Sequence, residues 1–410
     1  MSAEFLELLP PPAALHHFLQ QLALKVSAET IATTAALGRV LAEDVAAPFA
    51  LPSFARSTVD GYAVRAGDTH GASESLPAYL NLVGEALMGQ TPQFTISTGQ
   101  CGLIHTGGML PPGADAVVMI EYTQQPLAGE IEVLRAVAGG ENVLQVGEDV
   151  RPGDIVLQRG TRLRPAEIGG LMALGITEVM VSRAPRVAVL SSGDEIVPPG
   201  QPLSSGQIYD INSYTLAALI AERGGEPVRY GIIPDRADAF RAAAEKALAE
   251  ADIVLFTAGS SVSVRDLTAE TIDQLGEPGV LVHGVNVRPG KPTILAVCAG
   301  KPVIGLPGNP VSALVIADIF LTPVIRGALG EIVRPAGRLS ATLSTNLSSQ
   351  SGREDWVPVR LVPQGDGYLA EPVFGKSNLI FTLARADGLL RIHPDANGIP
   401  AGARVDIVLL

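Results

Sequence analysis

Between Arg186 and Leu329 the chain alternates short β-branched apolar runs with amphipathic stretches, a pattern that leaves few folds open. Runs at 186–191, 228–233, 252–257, 280–285, 293–297 and 303–306 are expected to be strands, and 213–223, 237–250 and 267–275 helices. Strands alternating with helices of this length build a doubly wound, mostly parallel sheet. Ligands bind such sheets beyond the carboxyl ends of the strands. Four polar clusters fall at those ends: Ser191-Ser192-Gly193-Asp194-Glu195, Pro234-Asp235, Ala258-Gly259-Ser260-Ser261 and Gly308-Asn309.

The last cluster follows the apolar run Pro302–Leu306 and opens the next helix, with Asn309 as expected N-cap and Pro310 at the first helical position. A turn of this kind points free backbone N–H groups outward, and these with the helix dipole favour a phosphate or oxyanion. Gly308 lets such a group approach the backbone. A purely structural strand-to-helix turn has the same pattern, so both readings stand at this point.

Asp194, Glu195, Asp210, Asp235 and Asp266 all flank strand ends on this edge. Hard oxygen ligands suit Mg²⁺, which takes one or two carboxylates and fills its shell with water and substrate phosphates. Each carboxylate alone is also explained by capping a helix or turn. Val287-Arg288-Pro289-Gly290-Lys291-Pro292 adds two cations on a stiff turn. Arginine can grip an oxyanion bidentately while lysine acts as a point charge, the alternative being solvated turn cations. Arg56-Ser57-Thr58-Val59-Asp60-Gly61-Tyr62-Ala63 reads from its residues as a type I turn ending at Gly61.

The remaining segments differ in character. Residues 12–44 read as two helices parted near Val26-Ser27, residues 53–142 as short strands broken by Gly and Pro, and 149–174 as turns and a helix opened by Pro165. After Gly330, strands are expected at 338–347, 355–361 and 405–409. The expected fold is therefore multidomain α/β plus β. It comprises a discontinuous helical domain (1–50 and 145–183), a β-rich insert (51–144), the αβ domain (184–329) and a small C-terminal β domain (330–410).

A length of 410 residues with 47% hydrophobic composition allows several packed cores, and a net charge of −13 argues against a nucleic-acid partner. Any anionic ligand must then be held by local groups. Two cysteines make no disulfide framework, which fits a cytoplasmic location, and the six histidines show no metal-ligand spacing. The start MSAEFLELLP, with an early acid and no basic residue, is not expected to be a secretory signal, and no run is expected to span a membrane.

Seven motifs in fixed order carry a resemblance over nearly the whole chain: STVDGYA, HTGGMLPPGADAVVMIE, GEDVRPGD, SSGDEI, GQIYDINSYTL, RPGKPTIL and GLPGNPVSAL. The chain resembles the molybdopterin molybdenumtransferase family, related to the C-terminal domain of gephyrin. The resemblance implies a four-domain homodimer that inserts molybdate into adenylylated molybdopterin in a Mg²⁺-dependent step, releasing AMP and giving molybdenum cofactor. Carried over by motif, Asp60, Thr106 and Asp149 are catalytic residues that border the active site from the partner subunit. Glu195, Asp235 and Asp266 serve the metal and catalysis. Ser192, Gly193, Asp210, Asn212, Gly259, Ser260, Ser261, Arg288, Lys291, Gly308, Asn309 and Pro310 bind substrate. Departures from the family pattern occur at Ser260 and Arg265, where glycine is usual, at Ala269 and Arg288, where lysine is usual, and in the turn Lys376-Ser377-Asn378. The rival expectations are a molybdopterin adenylyltransferase, which would consume ATP, and a non-catalytic dimeric scaffold or cofactor-binding paralogue.

Overall fold

The computed structural model describes residues 8–257, 262–335 and 337–410, the side chains of 262–266 excepted. Its centre is a six-stranded sheet in the order Glu226–Ile233, Arg186–Ser192, Ile253–Thr257, Lys301–Leu306, Ile294–Cys298, Pro278–His283. The first four strands run parallel, and Ile294–Cys298 is antiparallel to both its neighbours. The sheet is therefore mostly parallel, as the alternation predicts.

Strand periodicity sends successive residues to opposite faces, and each face has its own core. Val187 and Val189 point into one cluster with Leu216 and Ile220 of the helix Asn212–Arg223 and with Ile316 and Phe320 of the helix Pro310–Leu329. Ala188 and Leu190 point into the other with Phe240 and Ala244 of the helix Ala237–Glu250. Helices thus cover both faces. Pro310–Leu329 is apolar and long enough to cross a bilayer, yet 61% of its most apolar window is buried in the protein. Its first turns also pack on the C-terminal unit, with Val311 and Val315 against Leu383 and Leu389.

Two expectations for the N-terminal region are corrected. Only Pro11–Gln20 is an α-helix, and Ala28–Ala32 is a strand paired antiparallel with Glu178–Ser182. Thr30 and Ile31 are β-branched and find a partner far along the chain, which overrides the weak helical pattern. The helix Pro11–Gln20 itself buries Ala14 and Phe18 in the αβ core rather than in a separate helical domain. The stretches 28–46 and 155–182 do come together, through two antiparallel pairings, but as a mixed unit with one nine-residue helix, Pro165–Ala173.

Between them, residues 61–133 form a six-stranded sheet. Gly61 opens a strand there after a bend at 58–60, and only glycine fits, because a Cβ at this position would lie 1.9 Å from the Val118 carbonyl oxygen. In the C-terminal unit the strands Glu354–Gln364, Gly367–Pro372, Arg338–Leu343, Arg404–Leu409 and Gly388–Ile392 close into a ring. A two-residue strand from the αβ unit, Val287–Arg288, joins this ring in parallel with Glu354 and Asp355.

Candidate functional site

That junction creates a cleft of about 940 Å³ between the αβ and C-terminal units. The turn after Val287–Arg288 and the start of the helix Pro310–Leu329 form one wall, and the segments 346–358 and 373–382 the other. Among the described residues Arg288, Lys291, Arg353 and Lys376 line it, against the single carboxylate of Asp355. Arg353 and Asp355 escaped the sequence reading, since a charged triplet where a strand begins looks like any solvated edge. Lys376 was noticed there only as a departure from the family pattern.

Asn309 also lines the cleft and takes the expected N-cap position, with its side chain turned elsewhere. It occupies the N-cap without a side-chain cap bond, and its Nδ2 donates instead to Ser377 Oγ at 3.0 Å. The Val311 N–H donates to the Ser377 carbonyl at 3.0 Å, and Pro310 at the first helical position has no N–H. The helix terminus is thus partly filled by the C-terminal unit and is not an open cradle. Long-range packing of Ser377 has no signal in the local sequence.

Asn212 links the cleft to the strand ends, with its Nδ2 donating to the Gly308 carbonyl at 2.8 Å and its Oδ1 buried without a partner. Asp210, 6% exposed, accepts from the Ser213 N–H at 3.1 Å, from Ser213 Oγ, and from Ser191 Oγ at 3.4 Å. These bonds make it a helix cap, so the capping reading holds for this carboxylate. Asp235 differs. One of its oxygens, Oδ1, is buried without a hydrogen bond, as is Ser192 Oγ, while its backbone N–H donates to Asp194 Oδ1 at 3.3 Å. Burial pushes the Asp235 carboxyl up, and the nearby charges of Asp194 and Glu195 push it further. Gly193 has φ of +151°, and a Cβ there would lie 2.8 Å from both Glu195 Oε2 and Ile196 Cδ1, so the position favours glycine.

Among the described residues no group of three or more His, Cys, Asp or Glu side chains is arranged to hold a metal. Glu195 and Asp235 are within electrostatic reach of one another. Gly259, Ser260, Ser261 and the Asp266 side chain lie outside the described residues.

Asp60 and Thr106 form a second locality. The Thr106 N–H donates to Asp60 Oδ1 at 2.8 Å and its hydroxyl to the same oxygen at 3.2 Å, with His105 Nδ1 at 3.8 Å. The backbone bond from Thr106 is the largest cause holding the exposed Asp60 carboxyl below its ordinary value. Asp149 lines a separate cavity of about 620 Å³ with Arg56 and Glu148. The structure therefore brings together Asp60 with Thr106, and Arg288 with Lys291 and Asn309. It does not join either set to Asp149 within one chain.

Three family models match in succession: the MoeA N-terminal region (domains I and II) over 9–175, a probable molybdopterin-binding domain over 188–327, and the MoeA C-terminal region (domain IV) over 340–410. A putative molybdopterin biosynthesis protein of Methanocaldococcus jannaschii is 36% identical over 385 residues, 92% of this chain and 90% of that one. Molybdopterin molybdenumtransferase 2 of Mycobacterium tuberculosis is 34% identical over 384 residues, 92% and 94% of the two chains. The solved structure of a molybdopterin biosynthesis MoeA protein from Pyrococcus horikoshii OT3 matches with a TM-score of 0.86 and 32% identity, covering 98% of this chain and 100% of that one.

Proposed function

The chain belongs to the molybdopterin molybdenumtransferase family, and from that premise we propose that it inserts molybdate into adenylylated molybdopterin, releasing AMP and yielding molybdenum cofactor. The observation that carries this reading is the cleft, where four cations face one carboxylate in a chain whose net charge is −13. Both substrates are anions, and a concentration of cations in an acidic protein is what selective anion capture needs.

Arg288, Lys291, Arg353 and Lys376 would hold molybdate and the substrate phosphates, offsetting negative charge as the phosphoanhydride linkage breaks and AMP leaves. Asn309 and Asn212 tie the cleft to the strand ends, where the nucleotide side of the substrate would lie. Holding both partners in one cleft replaces an encounter in solution by a fixed geometry. No nucleophilic side chain is required.

The carboxylates at the strand ends support Mg²⁺ as the metal of this reading. Asp235 has a buried oxygen that makes no hydrogen bond beside the carboxylates of Asp194 and Glu195, and negative charge gathered there favours a hard cation. Glu195, Asp235 and Asp266 would hold it, and the ion when bound would neutralise phosphate charge.

We read the enzyme as a cytoplasmic homodimer. The Asp60 side chain meets Thr106 and His105, its carbonyl accepts from the Ile120 N–H, and the Asp149 N–H bonds the Leu51 carbonyl. This suits groups that serve the strand edge of a second copy. Two buried free cysteines accord with a reducing compartment.

The test is incubation of purified protein with adenylylated molybdopterin, molybdate and Mg²⁺, following AMP release together with formation of active cofactor. Molybdate-dependent appearance of both is expected, and Asp235→Ala should abolish it in a folded protein. Absence of both products from folded wild-type protein overturns the reading, and consumption of ATP with unmodified molybdopterin would replace it by adenylylation.

A further inference from the structure

One carboxylate stands among the cations of the cleft, where its charge opposes the binding of an anion. Asp355 is 3% exposed. Arg353 donates to it bidentately, from Nε to Oδ1 at 2.6 Å and from Nη2 to Oδ2 at 3.0 Å. Arg288 Nη1 lies 3.9 Å from Oδ2, and Arg288 and Asp355 face one another as paired residues of the parallel strands that join the two units. All three line the same cleft.

We propose that Asp355 is a positioning residue, which seats Arg353, and beside it Arg288, in the orientation that meets an oxyanion in this cleft. The inference rests on the functional reading above and deepens it. A guanidinium on a long flexible side chain binds an anion well only when its fork is fixed beforehand, and a bidentate carboxylate fixes it in two directions. Arg353 also donates from Nη1 to Gln350 Oε1 at 3.3 Å, which leaves two of its five N–H groups for a ligand. Arg353 comes from the C-terminal unit and Arg288 from the αβ unit, so one buried carboxylate aligns cations from both walls. Main-chain pairing of Val287–Arg288 with Glu354–Asp355 keeps the register of that alignment.

Charge and position predict opposite signs for one substitution. Asp355→Asn removes a negative charge from an anion site. If Asp355 acted only through space, molybdate would bind more tightly. If it seats the arginines, molybdate binds more weakly, by about tenfold as for other groups that orient a binding residue.

The experiment is calorimetric titration of the full chain with sodium molybdate at fixed ionic strength, with thermal unfolding as the check on folding. Arg353→Lys keeps the charge but loses the bidentate seat, so it should weaken molybdate binding to a similar degree whether or not Asp355→Asn folds. Combining Asp355→Asn with Arg353→Lys should cost little beyond either change alone, because both break the same contact. Unchanged or tighter binding in folded Asp355→Asn, unchanged binding in Arg353→Lys, or full additivity overturns the inference. If Lys291→Ala and Arg353→Gln also leave affinity unchanged, the cleft reading falls with it. If those two weaken binding while Asp355→Asn does not, the cleft stands and only the positioning role is lost.

Discussion

Gly290 lies between Arg288 and Lys291 with φ of +116°, and a Cβ there would sit 2.2 Å from Ile316 Cγ1 and 2.4 Å from its Cδ1. Ile316 is fully buried on the helix Pro310–Leu329, so it has nowhere to withdraw. Gly290→Ala therefore combines backbone strain of about 1–3 kcal/mol with overpacking of about 1–3 kcal/mol, a loss of roughly 2–6 kcal/mol. Relief by moving the turn would displace Lys291 from the cleft, so molybdate affinity should fall as well. The two contributions separate in a double-mutant cycle. Ile316→Ala alone costs about 2–5 kcal/mol through its cavity, but it removes both clashing atoms. The double variant should be more stable than the sum of the single losses by about 1–3 kcal/mol, the overpacking part. Urea unfolding of the four proteins measures this. Additive losses, or a Gly290→Ala protein within about 0.5 kcal/mol of wild type, would refute the packing argument.

Three further changes test other parts of the structure. Arg162 donates to both Glu331 oxygens at 2.8 and 2.6 Å and to the carbonyls of Gly38 and Arg223, and its side chain remains 26% exposed. Arg162→Met should cost about 2 kcal/mol at neutral pH, below the figure for fully buried pairs, as read by urea unfolding. Burial pushes the Glu331 carboxyl up and the Arg162 bonds more than reverse this, so its stabilisation is present above the unfolded value and lost as pH falls through the lower folded one. Without Arg162 burial raises the folded value, so that acid-side loss should shrink or vanish. Asp235 has the opposite sign: its raised native value means folded protein binds the proton more readily, so stability declines as pH rises from the ordinary carboxylate range through the folded value. Asp235→Asn should flatten that decline in thermal unfolding without Mg²⁺, and an unaltered slope would exclude Asp235 as its source. Thr106→Ala removes the hydroxyl bond to Asp60 and keeps the stronger backbone one, so the Asp60 carboxyl should stay below its ordinary value by NMR titration.

Local periodicity made the αβ unit legible. Ala237–Glu250 and Arg186–Ser192 carry their burial pattern in their own residues, and the sequence boundaries of the first match the helix. Ala28–Ala32 is mostly exposed and shows no alternation, so only its partner Glu178–Ser182 makes it a strand. The same contrast divides the site. Arg288 and Lys291 stand out as cations on a stiff turn, whereas Arg353, Asp355 and the plug by Ser377 depend on where the C-terminal ring docks. Spacing could not bring Asp60 to Thr106, and motif resemblance could name them without giving the hydrogen bonds. Asp210 and Asp235 look alike in sequence, but only the structure separates a satisfied cap from an oxygen without a partner.

The helix Pro11–Gln20 has a consequence for how the chain is made. Ala14 and Phe18 belong to a core whose other members include Leu295 and Phe320. At about 5–20 residues per second, a ribosome needs roughly 15–55 s after Phe18 to reach Leu295. For most of that interval the helix has a finished sequence while the elements it packs on, Pro278–His283, Ile294–Cys298 and Pro310–Leu329, are still to be made. The αβ unit, when it does emerge, closes its core with a segment synthesised long before, so the order of synthesis and the order of docking run in opposite directions.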